Sequence, residues 1–292
     1  MATILAVGIA TLDIINTVEC YPSEDSEQRA LRQYKSRGGN ATNTLVVLNQ
    51  LGHNSAWAGV LIDEADSQTI LNDLQHHTID TKNCRRLQQG KMPTSYITLN
   101  QQNGSRTIMH YRDCPEYRFD DFKKIDLSVF DWVHFEGRAI DDTNMMLQYV
   151  KQYFPNLPCS LEVEKARPDI ESLFELPNYL LFSKHYAVEK GFASASDLLR
   201  SLPDKLTATC TWGALGAWVK TNHALPRHVP TSNQTDVIDT LGAGDTFNAG
   251  LIHRLVNGDD LVTAVGYANQ LASHKCGQHG FNNLLADFTF QK

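Results

Sequence analysis

One stretch of the sequence places an acid directly after a turn of small residues. In Asp239-Thr-Leu-Gly-Ala-Gly-Asp-Thr-Phe247, Asp245 follows Gly242, Ala243 and Gly244. Apolar residues that recur every three or four positions after it predict a helix, which puts the glycines at a helix N-terminus. Such a terminus binds anions through its unpaired N–H groups and its dipole, and glycine lets a phosphate approach the backbone. A carboxylate at the edge of that site could orient a hydroxyl for phosphoryl transfer.

A plainer interpretation of the same residues is a glycine turn in which Asp245 only caps the helix. In either case the helix dipole would lower the pKa of its carboxyl group, so we expect a poor base whose role is mainly orientation. The β-branched pair Val237 and Ile238 predicts that a buried strand leads into the turn, and Asn257-Gly258 predicts the end of the helix.

A second candidate site lies near the start of the chain, in Gly38-Gly-Asn-Ala-Thr-Asn43. Asn40 and Asn43 lie three residues apart at a predicted helix start, so both amides should face one ligand. Amides both donate and accept hydrogen bonds, which suits a hydroxyl-rich molecule. Asp13, just past the first predicted strand, could accept hydrogen bonds from a diol. The alternatives are a helix cap for Asn40 and an ordinary loop acid for Asp13.

Two further features could contact a nucleotide. The segment Thr211-Trp-Gly-Ala-Leu-Gly216 follows a predicted strand and is either a nucleotide loop or a simple glycine turn. Arg106 follows the Asn103-Gly104 turn and could close over a phosphate, although a turn arginine is more often solvated.

The elements that must position these residues alternate between strands and helices. Strands are predicted at Ile4–Val7, Trp57–Ile62, Trp132–Phe135, Cys159–Val163, Tyr179–Phe182, Thr207–Thr211 and Val237–Ile238. Helices are predicted from Asn40, at Ser67–His76 with Asp66 or Ser67 as cap, near Thr143–Tyr153, Ile170–Phe174 and Ala195–Leu202, and after Asp245. This alternation predicts an α/β fold with a doubly wound, mainly parallel sheet flanked by helices, with Leu215–Val219 as an antiparallel addition. Ligands bind such sheets at the carboxyl ends of the strands.

Two segments break the alternation and predict a small separate sheet. Residues 14–36 look like two exposed strands around a polar turn, and residues 94–112 form a hairpin around Asn103-Gly104. We expect these segments to form a β-sheet lid on one domain that spans residues 1–292.

Composition excludes several classes of protein. The net charge of −7 and the pI of about 5.9 do not favour a nucleic-acid or anionic-membrane partner. The six cysteines are far apart without a Cys-x-x-Cys pair, and the eleven histidines show no metal-binding spacing. No export signal or 18-residue apolar run appears, so we expect a cytoplasmic protein.

The three glycine-containing motifs together resemble those of the ribokinase-like (pfkB) carbohydrate kinases. Residues 239–247 resemble the C-terminal signature of that family, 38–43 its N-terminal signature and 211–216 its nucleotide loop. The resemblance covers nearly the whole chain and is greatest for the ketohexokinase (fructokinase) branch, on the segments Tyr21–Glu27, Gly104–Ile108, Glu136–Arg138, Glu162–Lys165, Lys275–Gly277 and Gly280–Phe281. It implies an ATP- and Mg²⁺-dependent kinase that phosphorylates the 1-hydroxyl of a ketose such as fructose, and a homodimer paired through the lid sheets. A requirement for K⁺ stays open.

The resemblance also implies roles for individual residues. Asp245 would be the base beside the anion hole of Gly242, Ala243 and Gly244; the sugar would contact Asp13, Gly39, Asn40, Asn43, Arg106 and Asp245; ATP would contact Arg106, Gly213, Ala214, Leu215, Gly216, Gly242, Ala243, Gly244 and Cys276. The family's Asn-x-x-Glu magnesium motif is replaced by Ser183-Lys-His-Tyr186, so the metal-ordering residues are left unassigned. The alternatives are another ribokinase-like sugar or nucleoside kinase and an inactive sugar-binding sensor.

Overall fold

Strands and helices alternate along the computed structural model, which describes residues 1–231 and 237–290. Its strands are β1 (Thr3–Val7), β2 (Thr11–Val18), β3 (Arg32–Gly38), β4 (Asn54–Ala58), β5 (Val60–Ile62), β6 (Arg85–Leu87), β7 (Lys91–Asn100), β8 (Arg106–Asp113), β9 (Trp132–Glu136), β10 (Cys159–Val163), β11 (Tyr179–Phe182), β12 (Ala208–Thr211), β13 (Ala217–Lys220) and β14 (Arg227–Val229). Its helices are α1 (Asn40–Gln50), α2 (Ala65–His76), α3 (Phe119–Phe122), α4 (Ile140–Tyr153), α5 (Lys184–Glu189), α6 (Ala195–Ser201), α7 (Ala243–Val256) and α8 (Leu261–Cys276). Short 3₁₀ turns lie at Leu127–Val129, Ile170–Leu173 and Gly213–Leu215.

The largest sheet has the strand order β14-β13-β12-β11-β10-β9-β1-β4. Six neighbouring strands of this sheet are parallel to one another: β4, β1, β9, β10, β11 and β12. Strands β13 and β14 are antiparallel additions at one edge. Ile4, Leu5 and Ala6 of β1 are fully buried, as expected for a strand covered by helices on both faces. The parallel strands end at one edge, where Glu136 of β9 pairs with Glu162 of β10. The predicted mainly parallel sheet and its antiparallel addition are confirmed.

A separate four-stranded sheet, which we call the lid sheet, has the order β3-β2-β7-β8. It contains the segments in which the sequence predicts exposed strands and a hairpin, and Gly104 in the hairpin turn has a φ of 69°. Asp13 follows β1, as predicted, but lies inside β2 and pairs with Ser36 and Ser95, so the alternative interpretation of an ordinary loop acid is wrong. Its side chain is therefore held by a sheet.

The strand predicted at Val237–Ile238 does not form. Both side chains are exposed, at 69% and 53%, and the edge of the large sheet is occupied by β14, which the sequence analysis missed. The N–H of Ile238 donates to the carbonyl oxygen of Cys276, not to a neighbouring strand. Val237 instead lines a cavity, and two β-branched residues in sequence do not distinguish a cavity wall from a sheet interior.

Other boundaries differ from the predictions for local reasons. The predicted strand Trp57–Ile62 is divided at Gly59, where a side chain would collide with the Trp57 ring, and β5 joins β6 in a separate two-stranded sheet. Helix α2 begins after Glu64 without a side-chain cap. Of its predicted caps, Asp66 binds Lys35 and Lys91, and Ser67 donates to the Ile62 carbonyl. Helix α8 was not predicted.

Candidate active site

Two glycine turns open helices in this structure: the first is Gly38–Gly39, before α1, and the second is Gly242–Gly244. The second glycine turn opens helix α7, as the sequence predicts. Gly242 precedes the first helical residue and has a φ of 77° and a ψ of 9°. A side chain at this position would collide with the ring of Phe281. The backbone therefore enters the helix in a conformation that favours glycine, and Asp245 lies in its first turn, where N–H groups lack partners within the helix.

Asp245 is buried and faces helix α1. One of its carboxylate oxygens accepts a hydrogen bond from Asn43 Nδ2 at 2.7 Å. Burial raises the pKa of Asp245 to about 7; Glu164 and Glu136 add to this rise, whereas Asn43 and Arg37 oppose it. The predicted low pKa is thus wrong, because loss of hydration outweighs the helix dipole. The group titrates close to neutral pH, which suits a general base.

Asn43 is held in one orientation by Arg37. Arg37 Nη1 donates to Asn43 Oδ1 at 2.7 Å and to Thr42 Oγ1 at 3.0 Å, and its Nε donates to Asp73. Because the amide oxygen of Asn43 accepts from Arg37, its NH₂ group faces Asp245. Arg37 is a residue of this site that sequence analysis missed, and its place directly before the two glycines was the available signal.

Asn40 contacts a different carboxylate. Its Nδ2 donates to Glu162 Oε2 at 3.2 Å, and the other oxygen of Glu162 accepts from Asn248 Nδ2 at 3.1 Å. Gly39, with a φ of 103°, precedes α1, and no side chain caps the helix, so the cap interpretation of Asn40 is wrong. The two amides of this helix turn are directed to Glu162 and Asp245, not jointly to one point.

Buried acids surround Asp245 at the ends of β9 and β10. Burial, followed by the charges of Asp245, Glu164 and Glu136, raises the pKa of Glu162 well above its usual value. Burial likewise raises the pKa of Glu136, which accepts from the Ile9 N–H at 2.9 Å. The sequence analysis noted these acids only within segments that carry the family resemblance and assigned them no individual role, although a charged residue inside the apolar strand Cys159–Val163 was a signal. They place several carboxyl groups with raised pKa values beside the second glycine turn, where burial disfavours their charged forms.

A cavity of about 730 Å³ adjoins the second glycine turn. It is lined by Thr211, Gly213, Ala214, Gly216, Val237, Thr240, Ala243, Gly244, Phe247, Asn269, Ala272, Ser273 and Cys276. The structure thus brings most of the residues predicted to contact a nucleotide to one cavity, including Cys276. Leu215 is 58% exposed and does not line it, so the predicted loop presents Thr211, Gly213, Ala214 and Gly216 there.

A second cavity, of about 830 Å³, lies between the lid sheet, helices α1 and α2, and residues 238–241 and 279–282. Asp13, Gly38, Asn43, Asp239 and Phe281 are among its lining residues. Asp13 accepts a hydrogen bond from Thr11 Oγ1 at 2.9 Å, and burial raises its pKa. Its second carboxylate oxygen lies beside Gly38, where no side chain could fit.

Comparison with known protein families shows which family this chain belongs to. The profile of the pfkB family carbohydrate kinases matches residues 1–287. The chain belongs to the pfkB family of carbohydrate kinases. It is 36% identical to mouse ketohexokinase over 97% of this chain and 98% of that protein, and 24% identical to Bacillus subtilis ribokinase over 94% and 92%. This pfkB protein is therefore a phosphotransferase that acts on a sugar.

Solved structures confirm the predicted ribokinase-like fold of this pfkB kinase. Arabidopsis thaliana ribokinase, solved with ribose and ATP, superposes with a TM-score of 0.80 and 20% identity, covering 96% of this chain and 94% of that chain. Ribokinase from Cryptococcus neoformans, solved with ADP, has a TM-score of 0.77 and 15% identity with coverage of 96% and 95%.

The segment that replaces the family's Asn-x-x-Glu motif begins a helix in this pfkB kinase. Ser183 caps α5 by accepting from the Tyr186 N–H, and the Tyr186 hydroxyl donates to Glu171 at 3.0 Å. Both side chains therefore have structural roles. Among residues 1–231 and 237–290, no three His, Cys, Asp or Glu side chains form a group that could hold a metal ion, and no helix is long and apolar enough to cross a membrane.

Proposed function

We propose that this protein transfers the γ-phosphoryl group of ATP to the 1-hydroxyl of a ketose, with fructose as the preferred substrate. The observation that carries the proposal is the buried carboxylate of Asp245, with a pKa of about 7, in the first turn of a helix opened by Gly242. The similarity to mouse ketohexokinase over almost the full chain supports a ketose as acceptor.

In the proposed reaction Asp245 accepts the proton of the sugar hydroxyl. The hydroxyl oxygen forms a bond to the γ-phosphorus, the bond to the bridging oxygen of ADP breaks, and Asp245 later releases its proton to solvent. The backbone N–H groups at Gly242, Ala243 and Gly244 stabilise the charge on the phosphoryl oxygens. A pKa near the working pH makes the carboxylate of Asp245 a stronger base than an ordinary aspartate while part of it stays deprotonated.

For the sugar we propose contacts with Asp13, Gly39, Asn40, Asn43 and Arg106. Asp13, on the lid sheet, and Asn43, beside Asp245, line the same cavity, which supports a hydroxyl-rich ligand between them. For the nucleotide we propose the cavity of about 730 Å³, lined by Gly213, Ala214, Gly216 and Cys276 among others. The Arabidopsis ribokinase structure, which was solved with ATP, supports ATP as the nucleotide.

We also propose that Mg²⁺ accompanies ATP. Mg²⁺ keeps several waters and needs only one or two carboxylates together with the phosphates, so it does not require a group of three acidic or imidazole side chains, which the described ranges lack. The residues that would order its waters are left unassigned. When bound, Mg²⁺ would neutralise phosphate charge. A site for K⁺ is not assigned.

A homodimer paired through the lid sheets is part of the proposal. Tyr96, Met109 and Tyr111 lie on one face of the lid sheet and are exposed, and a small sheet with an exposed apolar face is typical of an interface. Light scattering at micromolar concentration should give a dimer, and Met109→Glu should give a folded monomer. A monomeric wild-type protein would refute this part.

For localisation we propose the cytoplasm, on the basis of six free cysteines.

An ADP-release assay with ATP and Mg²⁺ across fructose, tagatose, ribose, glucose and adenosine tests the proposed activity. We expect the highest kcat/KM with fructose, and phosphorus NMR of the product should show a phosphate on the primary 1-hydroxyl. Preference for ribose or adenosine would instead favour the second candidate function, which the relatedness to B. subtilis ribokinase and to an archaeal nucleoside kinase supports. Binding of sugar without turnover would indicate a sensor.

A further inference from the structure

Helix α8 ends directly beneath the loop that leads into the second glycine turn. The carbonyl oxygen of Cys276, at the end of α8, accepts from the N–H groups of Ile238 at 2.7 Å and Asp239 at 3.1 Å. Asp239 is followed after two residues by Gly242, where the turn begins. The last turn of α8 therefore supports the segment that sets the direction of α7.

Lys275 adds an ion pair with Asp239 to these backbone hydrogen bonds. Its side chain is fully buried, and its Nζ donates to the Asp239 carbonyl oxygen at 3.0 Å and to Asp239 Oδ2 at 2.9 Å. The carboxylate of Asp239 also accepts from the N–H groups of Leu241 at 2.9 Å and Gly280 at 3.3 Å. One ammonium group thus holds both the backbone and the side chain of Asp239 and is shielded from water.

Lys275 also lies against the residue that shapes the turn itself. Its Nζ is 5.6 Å from the centre of the Phe281 ring, and that ring occupies the space next to Gly242. Lys275 lines neither of the two ligand cavities. Lys275 would therefore act on the reaction through its contacts with Asp239 and Phe281.

We propose that Lys275 is a positioning residue for the phosphate-binding turn, with its ammonium group holding residues 239–242 so that the first N–H groups of α7 face the phosphates. The proposal rests on the proposed kinase function of this site. Preorganised donors contribute because they need no rearrangement during the reaction. A buried ion pair that loses one partner leaves an uncompensated charge, so removal of Lys275 should release the turn from this arrangement.

The chain supplies a matched control for this test in Lys220. Lys220 is only 2% exposed, and its Nζ donates to the carbonyl oxygens of Leu202 at 2.6 Å and Pro203 at 3.2 Å. It lines neither ligand cavity. Lys275→Met and Lys220→Met therefore both remove a buried ammonium group from backbone carbonyls, but only the first is next to the turn.

Steady-state kinetics with the preferred sugar and Mg-ATP should separate the two variants. Both should unfold at lower urea concentration than the wild type, but only Lys275→Met should lose kcat, by roughly 10²-fold, as for loss of a preorganised donor. Ammonium or methylammonium chloride should restore part of that kcat by entering the vacated space, whereas tetramethylammonium at equal ionic strength should not. A folded Lys275→Met with the kcat of Lys220→Met, or a loss of kcat without selective rescue, would overturn the proposal.

Hydrogen exchange keeps this test separate from the question of substrate. Residues 237–246 should exchange faster in Lys275→Met than in Lys220→Met, and a nonhydrolysable ATP analogue should protect them less. If the wild type phosphorylates no sugar, the proposed function fails while this comparison still decides the role of Lys275. Equal exchange of this segment in both variants would contradict the positioning role.

Discussion

The two glycine turns of this pfkB kinase both open helices toward the same site, yet they are fixed by different neighbours. At Gly39 an added side chain would meet the carbonyl oxygen of Ile9 and the Cα of Ala10, whereas at Gly242 it would meet the ring of Phe281. Backbone next to β1 cannot move aside, but a ring can rotate. The first turn is therefore set by the core, and the second by side chains that follow α8.

The turns also differ in what they present. Helix α1 contributes the side-chain amides of Asn40 and Asn43, which bind Glu162 and Asp245. Helix α7 contributes backbone N–H groups and the carboxylate of Asp245. This division matches the two partners of a kinase, since amides suit hydroxyl groups and helix N-termini suit phosphate.

The largest effect should come from the acid of the second turn. Asp245→Asn should reduce kcat by about 10²–10⁴-fold, because the amide cannot accept the proton, while binding of an ATP analogue measured by calorimetry stays within a few-fold. Asp260→Asn is the matched control, since Asp260 starts α8 as a cap and asparagine caps equally well. Activity of Asp245→Asn close to that of the control would falsify the role of the base.

Alanine substitutions at the two glycines should next reveal which turn is more rigid. Gly39→Ala should lower the free energy of unfolding by about 3 kcal/mol, since its φ of 103° is unsuited to other residues. Gly242→Ala should cost less, about 1–2 kcal/mol for its left-handed helical conformation, with a smaller contribution from displacement of the Phe281 ring.

Adding Phe281→Ala to each glycine variant sharpens this comparison. Phe281→Ala removes the ring that the new methyl group of Gly242→Ala would meet. Phe281→Ala should therefore lower the free energy of unfolding less in the Gly242→Ala variant than in the wild type. In the Gly39→Ala variant, Phe281→Ala should lower the free energy of unfolding by the same amount as in the wild type. Urea unfolding measures both, and equal coupling in the two backgrounds would show that the turns do not differ in this way.

The pH dependence should separate the two asparagines of α1. The kcat/KM should fall as the pH drops below about 7, because Asp245 becomes protonated. Loss of the hydrogen bond from Asn43 removes a group that lowers this pKa, so Asn43→Ala should shift the midpoint to higher pH by about one unit. Asn40→Ala, which loses a bond to Glu162, should weaken sugar binding about ten- to a hundredfold and leave the midpoint in place. Equal midpoints in both variants would be inconsistent with this division.

The smallest effect should come from the contact between the lid sheet and the second turn. Arg106 Nη1 donates to Thr240 Oγ1 at 3.3 Å, and both residues are exposed. Arg106→Ala should lower kcat and raise the KM for ATP by about two- to tenfold, in line with the loss of one exposed hydrogen bond. The urea midpoint should stay unchanged, and a large change in it would indicate a structural role instead.

Local sequence patterns predicted the secondary structure correctly where residues within a single helix, strand or turn determine it. The helices after Asn40 and Asp245, the hairpin at Asn103-Gly104 and the parallel strands followed from periodicity and turn residues, which act within a few positions. The strand predicted at Val237–Ile238 was wrong because an apolar pair next to a cavity has the same sequence pattern as an apolar pair inside a sheet. The uninterrupted helix α8 was missed, although Asp260 and the apolar residues after it carried the signal.

The sequence by itself determined the types of group in the site: the glycines that admit phosphate, the amides of Asn40 and Asn43, and the acid Asp245. Only the tertiary structure decided the partners and the charge states of these groups. The amides bind separate carboxylates, and the pKa of Asp245 rises to about 7 instead of falling. The physical reason is that hydration is lost, and Glu136 and Glu164 come near, only when distant segments pack together.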